Sequence, residues 1–230
     1  MQYQIYILIF IFFGCNNIDK VKVEKEIDLV SSNEMLLFSK DSLSQIGFSK
    51  LSKLFLIGGF NGDGKKDSLI QNNISELTNQ PIDSIPDMPF DSLQRHFDKL
   101  YSRIIITSSN NKFDTLGLGS GKDLFCFINI GDNNNDKKDE IAVVVNNCSF
   151  TNICECQIFT LCDNGWKELK LFSIHRGTFL YDTSKTQFNG IKDFLEFRNN
   201  RWVYMDYYNW INAETAKDTI LKPLRIKSGC

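Results

Sequence analysis

From Arg103 onward the apolar residues fall into short blocks separated by polar, turn-forming residues. The blocks are Arg103–Thr107, Phe113–Leu118, Leu124–Ile130, Glu140–Val145, Cys156–Leu161, Glu168–Ile174, Phe194–Phe197 and Trp202–Tyr207. Runs of this length, rich in β-branched and aromatic residues, predict strands. Further upstream, Leu54–Ile57 is an apolar run that stops at Gly58 and Gly59, as a buried strand does. Asp163-Asn164-Gly165 and Asn199-Asn200 supply tight-turn residues between neighbouring blocks, so both predict hairpins, and each turn leads to a tryptophan, Trp166 or Trp202. One segment has a different period: Phe90, Leu93, Phe97, Leu100 and Tyr101 recur at helical spacing, and Asp91 with Gln94 has the form of a capping box. The stretch before it, Ser75–Met88, carries Pro81 and Pro86 and reads as irregular. The predicted fold class is mostly β, a small assembly of antiparallel units with one inserted helix.

The first residues read differently. Met1–Gly14 holds no charged side chain and runs apolar from Ile5 to Phe13, after which come Gly14, Cys15 and the polar Asn16, Asn17, Asp19 and Lys20. The run falls short of the about 20 apolar residues that a helix needs to cross a bilayer, so residues 1–14 are expected to be a signal peptide. A small residue just before a cysteine resembles the lipobox of bacterial lipoproteins. That resemblance implies cleavage before Cys15 and acylation of the new terminus, giving a membrane partner through lipid and a lipid-anchored, extracytoplasmic location in the cell envelope. An ordinary cleaved leader is the alternative. Residues 15–34 are polar without periodicity and suit a tether, which leaves 35–230 as the folded β-rich domain.

Composition narrows the function classes. Hydrophobic residues make up 42% and aromatic residues 13%, enough for a packed core, and the 19 phenylalanines are expected to dominate it. With a net charge of −2 and the charges interspersed, nothing points to a nucleic-acid partner. Setting Cys15 aside for lipid leaves six of the seven cysteines, an even number that permits disulfides in an oxidising compartment. Spacing does not fix the connectivity, although Cys148 and Cys154 are placed to close a tight loop. The set Cys148, Cys154, Cys156 and Cys162 lacks the close pairs of a structural zinc site.

Two loops carry the strongest chemical signal. Gly59-Phe60-Asn61-Gly62-Asp63-Gly64-Lys65-Lys66-Asp67 aligns position for position with Asp132-Asn133-Asn134-Asn135-Asp136-Lys137-Lys138-Asp139-Glu140. Oxygen-bearing side chains recur at positions three, five and nine. Calcium takes six to eight oxygen ligands, and a tight loop pointing alternate side chains inward can supply them. In the second loop the donors are Asp132, Asn134, Asp136 and Glu140 with the carbonyl of Lys138. In the first they are Asn61, Asp63 and Asp67 with the carbonyl of Lys65, so only two carboxylates remain there. An EF-hand would place a carboxylate at position twelve, where Ile70 and Val143 stand.

The arrangement resembles the FG-GAP or VCBS repeat, in which a D-x-N-x-D-G-x-x-D loop joins two strands of a propeller blade. The resemblance covers residues 55–70 and 124–145. It implies calcium in the loops, one or two ions, and a binding or scaffolding role outside the cell with a protein or glycan partner. Departures stand at Gly59, where the pattern has aspartate, and at Lys137, where it has glycine. With 73 positions between the two loops, the chain has room for two or three blade-like units and not for a complete propeller.

A catalytic reading finds little to build on. His96 and His175 are the only histidines, and Gly117–Lys122 fails the phosphate-loop pattern because Leu116 and Asp123 stand where Gly and Ser or Thr are required. The aromatic group Trp202, Tyr204, Tyr207, Tyr208 and Trp210 is a candidate for contact with glycan or protein, with core packing as the alternative. The expectation is a non-catalytic calcium-binding module. The competing readings are an envelope enzyme or accessory in glycan handling that uses calcium structurally, and a metal-free structural lipoprotein.

Overall fold

The computed structural model of the chain describes residues 47–109, 113–149, 151–179, 190–208, 220–227 and 230. The signal peptide, Cys15, the tether and Trp210 lie outside these residues. A short pair forms between β1 (Phe48–Lys50) and β5 (Ser84–Pro86). The first large sheet runs β2 (Phe55–Gly58), β3 (Asp67–Ser75), β6 (Ser102–Ser108) and β7 (Leu116–Gly117), with β4 (Gln80–Pro81) beside β3. The second runs β8 (Asp123–Gly131), β9 (Glu140–Asn146), β10 (Ile153–Cys162) and β11 (Gly165–His175). The third runs β12 (Gly190–Ile191), β13 (Leu195–Arg198), β14 (Arg201–Tyr204) and β15 (Lys222–Pro223). All these strand pairs are antiparallel, and in the second and third sheets neighbouring strands follow one another along the chain, whereas in the first β3 pairs with β6 across β4, β5 and the helix. The result is mostly β, with the helix α1 (Phe90–Lys99) inserted between β5 and β6.

The middle sheet is buried on both faces, which is why β9 reads Ile-Ala-Val-Val without alternation. One face packs Phe127, Ile141, Val143 and Phe159 against Leu69, Ile104 and Ile106 of the first sheet. The other packs Cys126, Ile128, Val144 and Ile158 against Leu195 and Trp202 of the third. Trp202 seals that contact by donating its indole N–H to the Ile130 carbonyl. Nine isoleucines and six phenylalanines are buried among the described residues. Phenylalanine therefore does not dominate the core as composition suggested; the pleated face of a sheet is packed more closely by β-branched side chains, and Phe48, Phe55 and Phe197 stay exposed.

The predicted hairpins form. Asn199 and Asn200 take φ of 51° and 59° between the paired Arg198 and Arg201, the left-handed pair of a type I′ turn. Cys162 pairs with Gly165 across the other turn. Several expectations need correction. The run Leu54–Ile57 gives an edge strand instead of a buried one, because only β3 pairs with β2 inside its sheet and Phe55 and Ile57 point to solvent. The helix starts at Pro89, which has no side-chain oxygen, so no capping box closes it. The strands expected over Phe113–Leu118 and Trp202–Tyr207 are shorter, Leu116–Gly117 and Arg201–Tyr204.

The cysteine expectation also changes. Cys148 and Cys154 are free and buried, because they face different cores: Cys148 packs with Leu51, Ile85 and Phe97 below the helix, and Cys154 with the middle sheet. The disulfide is instead Cys162–Cys230, closing 68 residues of chain onto the end of β10. Burial pushes the Cys154 thiol up to about 11, which keeps it protonated and unreactive.

Candidate metal centre

Both aligned loops connect the first and second strands of a sheet, the first between Gly58 and its partner Asp67, the second between Gly131 and its partner Glu140. They fold alike down to single hydrogen bonds. The position-three side chain accepts from the position-five N–H, Asn61 from Asp63 at 3.0 Å and Asn134 from Asp136 at 2.9 Å. The position-five carboxylate accepts from the position-seven N–H, Asp63 from Lys65 at 2.8 Å and Asp136 from Lys138 at 2.9 Å. Positions four and six are left-handed in both: Gly62 and Gly64 in the first, Asn135 and Lys137 in the second. Glycine adopts that region freely, whereas lysine does so at a cost of about 1 kcal/mol. Position nine, Asp67 or Glu140, is buried at the start of the following strand.

The loops also sit against each other. The Asp139 carboxylate accepts the Gly59 N–H at 2.9 Å, and the Asp139 N–H donates to the Gly59 carbonyl at 3.0 Å. Asn129 donates to the same carboxylate and to the Ile57 carbonyl. Sequence reasoning gave Asp139 no role, since it falls at an even loop position where the side chain is not expected to face the ion. Asn133, also missed, holds Glu140 through its backbone N–H at 2.7 Å and its side-chain amide at 3.4 Å.

The second loop brings its three carboxylates together: ligand oxygens of Asp132, Asp136 and Glu140 lie within 4.8 Å of one another. Asp132 also accepts the N–H groups of Asp136 and Lys137, and Asn134 donates to Asp136. The Lys138 ammonium does not neutralise the cluster; it donates to the Leu161 carbonyl at 3.0 Å and lies 3.7 Å from Asp163. Glu140 is fully buried, and while its Oε2 is held by Asn133, its Oε1 has no hydrogen-bond partner. Burial pushes its carboxyl up to about 7, opposed by the Asn133 bonds and reinforced by the charges of Asp136 and Asp132. A buried carboxylate with one oxygen lacking a donor, grouped with two further carboxylates, is unfavourable alone and suited to a divalent cation. The donor set, all oxygen and three-fold anionic, fits calcium and offers no soft ligand to a transition metal.

In the first loop Asn61, Asp63 and Asp67 hold the equivalent positions, but Gly59 removes the carboxylate that Asp132 provides in the second. A Cβ built on Gly59 would stand 3.8 Å from the Lys65 carbonyl oxygen. The remaining candidates are placed elsewhere. His96 is half-buried on α1, edge-on to Phe97. Trp202 belongs to the core and Tyr204 packs against it, while Tyr208 is exposed. Comparisons of the chain with family models, curated proteins and solved structures find no match.

Proposed function

We propose that the chain is an exported, lipid-anchored module that binds calcium in its second loop and acts by binding or scaffolding at the cell envelope, without catalysis. The observation that carries the calcium reading is the Glu140 carboxylate, fully buried with Oε1 unpartnered beside Asp132 and Asp136. Supporting it, the loop holds Lys137 in a left-handed conformation whose cost a bound cation would offset. The lipid reading rests on Cys15 behind an apolar leader, and the resemblance to FG-GAP or VCBS repeats supports a protein or glycan partner.

Thermal melting of protein from residue 16 onward, stripped with chelator and titrated with calcium, tests the site. At one hundred times its Kd, calcium is expected to raise stability by about 2.7 kcal/mol through linkage, and Asp136→Ala to remove most of that gain. No response to calcium in the parent protein would reduce both loops to polar turns. For the anchor, the full chain expressed in bacteria is expected to float with membranes, and Cys15→Ser to release it. Membrane association that survives the substitution would rule out lipid at Cys15.

A further inference from the structure

On the third sheet's side of the molecule lies an open cavity of about 670 Å³ that neither of the two aligned loops lines. Three segments border it, and it opens to solvent: the turn after β11, the Lys192–Phe194 turn between β12 and β13, and the segment after β14. Hydrogen bonds tie the segments together, from Thr178 Oγ1 to the Lys192 carbonyl and from the Met205 N–H to the Phe194 carbonyl. The third segment is fixed again where Asp206 accepts the Ser173 N–H at 3.1 Å. An open cleft of this volume, with its bordering segments tied to one another, is at the scale of a small ligand.

Its chemistry is divided. Phe194 and Met205 give an apolar floor, and Tyr207 stands edge-on to His175 at 5.0 Å and to Phe194 at 6.0 Å. The His175 ring is oriented by the Gly177 N–H, which donates to Nδ1 and leaves Nε2 as the ring's donor. A side chain at Gly177 would collide with that ring, its Cβ 2.8 Å from Nδ1. On the rim, Lys192 and Asp193 bring opposite charges that do not pair with each other, and among the described residues neither has an ionic partner. Asp193 stands at φ 67°, in the left-handed region that aspartate and asparagine adopt more readily than most residues, and its N–H is fixed by the Glu196 carboxylate.

We propose that this cavity binds a small zwitterion, an amino acid with an apolar or aromatic side chain. Its carboxylate meets Lys192 and the His175 Nε2–H, its ammonium meets Asp193, and its side chain lies on Phe194 and Met205. A simple anion would leave Asp193 opposed, and a neutral sugar would use neither charge.

The test is an NMR titration of the protein from residue 16 onward with L-phenylalanine, and in parallel with hydrocinnamate, which lacks the ammonium, and phenethylamine, which lacks the carboxylate. Phenylalanine is expected to shift resonances of His175, Lys192–Phe194 and Tyr207, and each half-ligand to bind at least tenfold more weakly. Lys192→Met and Asp193→Asn are each expected to weaken phenylalanine at least tenfold. Lys192 is exposed and asparagine tolerates the left-handed backbone, so both variants keep the fold. Hydrocinnamate binding as tightly as phenylalanine, variants that bind unchanged, or no shifts at these residues at millimolar phenylalanine would each overturn the assignment.

Discussion

Glu140→Gln is expected to act in opposite directions on the metal-free and calcium-loaded protein. In the unfolded chain the Glu140 carboxyl titrates near 4.5, and in the folded, metal-free protein near 7, because burial disfavours its charge. The folded state therefore holds a proton that the unfolded state has lost between those values. The stability this confers is fully present below about pH 4.5 and is lost as pH rises through about 7. A shift from 4.5 to about 7 corresponds to about 3 kcal/mol, or roughly 6–12 °C in melting temperature at this chain length. Chelator-treated parent protein should thus melt lower at pH 8 than at pH 5. The glutamine variant, neutral at both, should lose this component of the pH dependence and melt above the parent at pH 8. Calcium should reverse the ranking by stabilising the parent and leaving the variant unmoved. Melts at two pH values, with chelator and with calcium, check all four states. A variant that still gains from calcium, or a parent whose metal-free stability rises from pH 5 to pH 8, would remove Glu140 from the site.

The loops were legible in the sequence because their chemistry is local. Oxygen donors at fixed spacing, with glycine or asparagine between them, dictate a tight loop wherever it sits, and the strands flanking each loop follow from apolar runs on both sides. The middle sheet could be read for a similar reason, since a strand covered on both faces must be apolar throughout. What escaped was decided at a distance. Leu54–Ile57 looks like a core strand, yet its burial depends on what covers its faces, which no local pattern states. The inner face of β3 carries Gln71, Asn73 and Ser75, polar residues that are buried because backbone carbonyls of Ser52, Gly121, Lys122 and Leu100 accept their bonds. Sequence distance likewise hid the Cys162–Cys230 bridge, and a cysteine spacing that suits a loop says nothing about which core each thiol faces. Asp139 shows the same limit inside the candidate site, for its partner Gly59 lies 80 residues away.

That bond between the loops also shows what separates them, and it makes the first loop repairable. Gly59→Asp is expected to raise calcium stoichiometry from one ion to two. The backbone at Gly59 is held on both sides by Asp139, which accepts its N–H and donates to its carbonyl, so a new side chain there enters a fixed frame. Its Cβ would meet only the Lys65 carbonyl oxygen, at an ordinary 3.8 Å. The aspartate would then occupy position one, as Asp132 does in the second loop, and bring the first loop to three carboxylates with Asp63 and Asp67. Gly62 and Gly64 already supply the left-handed backbone without the strain that Lys137 carries. Equilibrium dialysis against calcium followed by metal analysis reads the stoichiometry. Gly59→Asn serves as the control, since it fills the same space without the charge and is expected to stay at one ion. A Gly59→Asp protein that also stays at one ion would mean that the shared backbone geometry of the two loops is a turn preference and not the frame of a cation site.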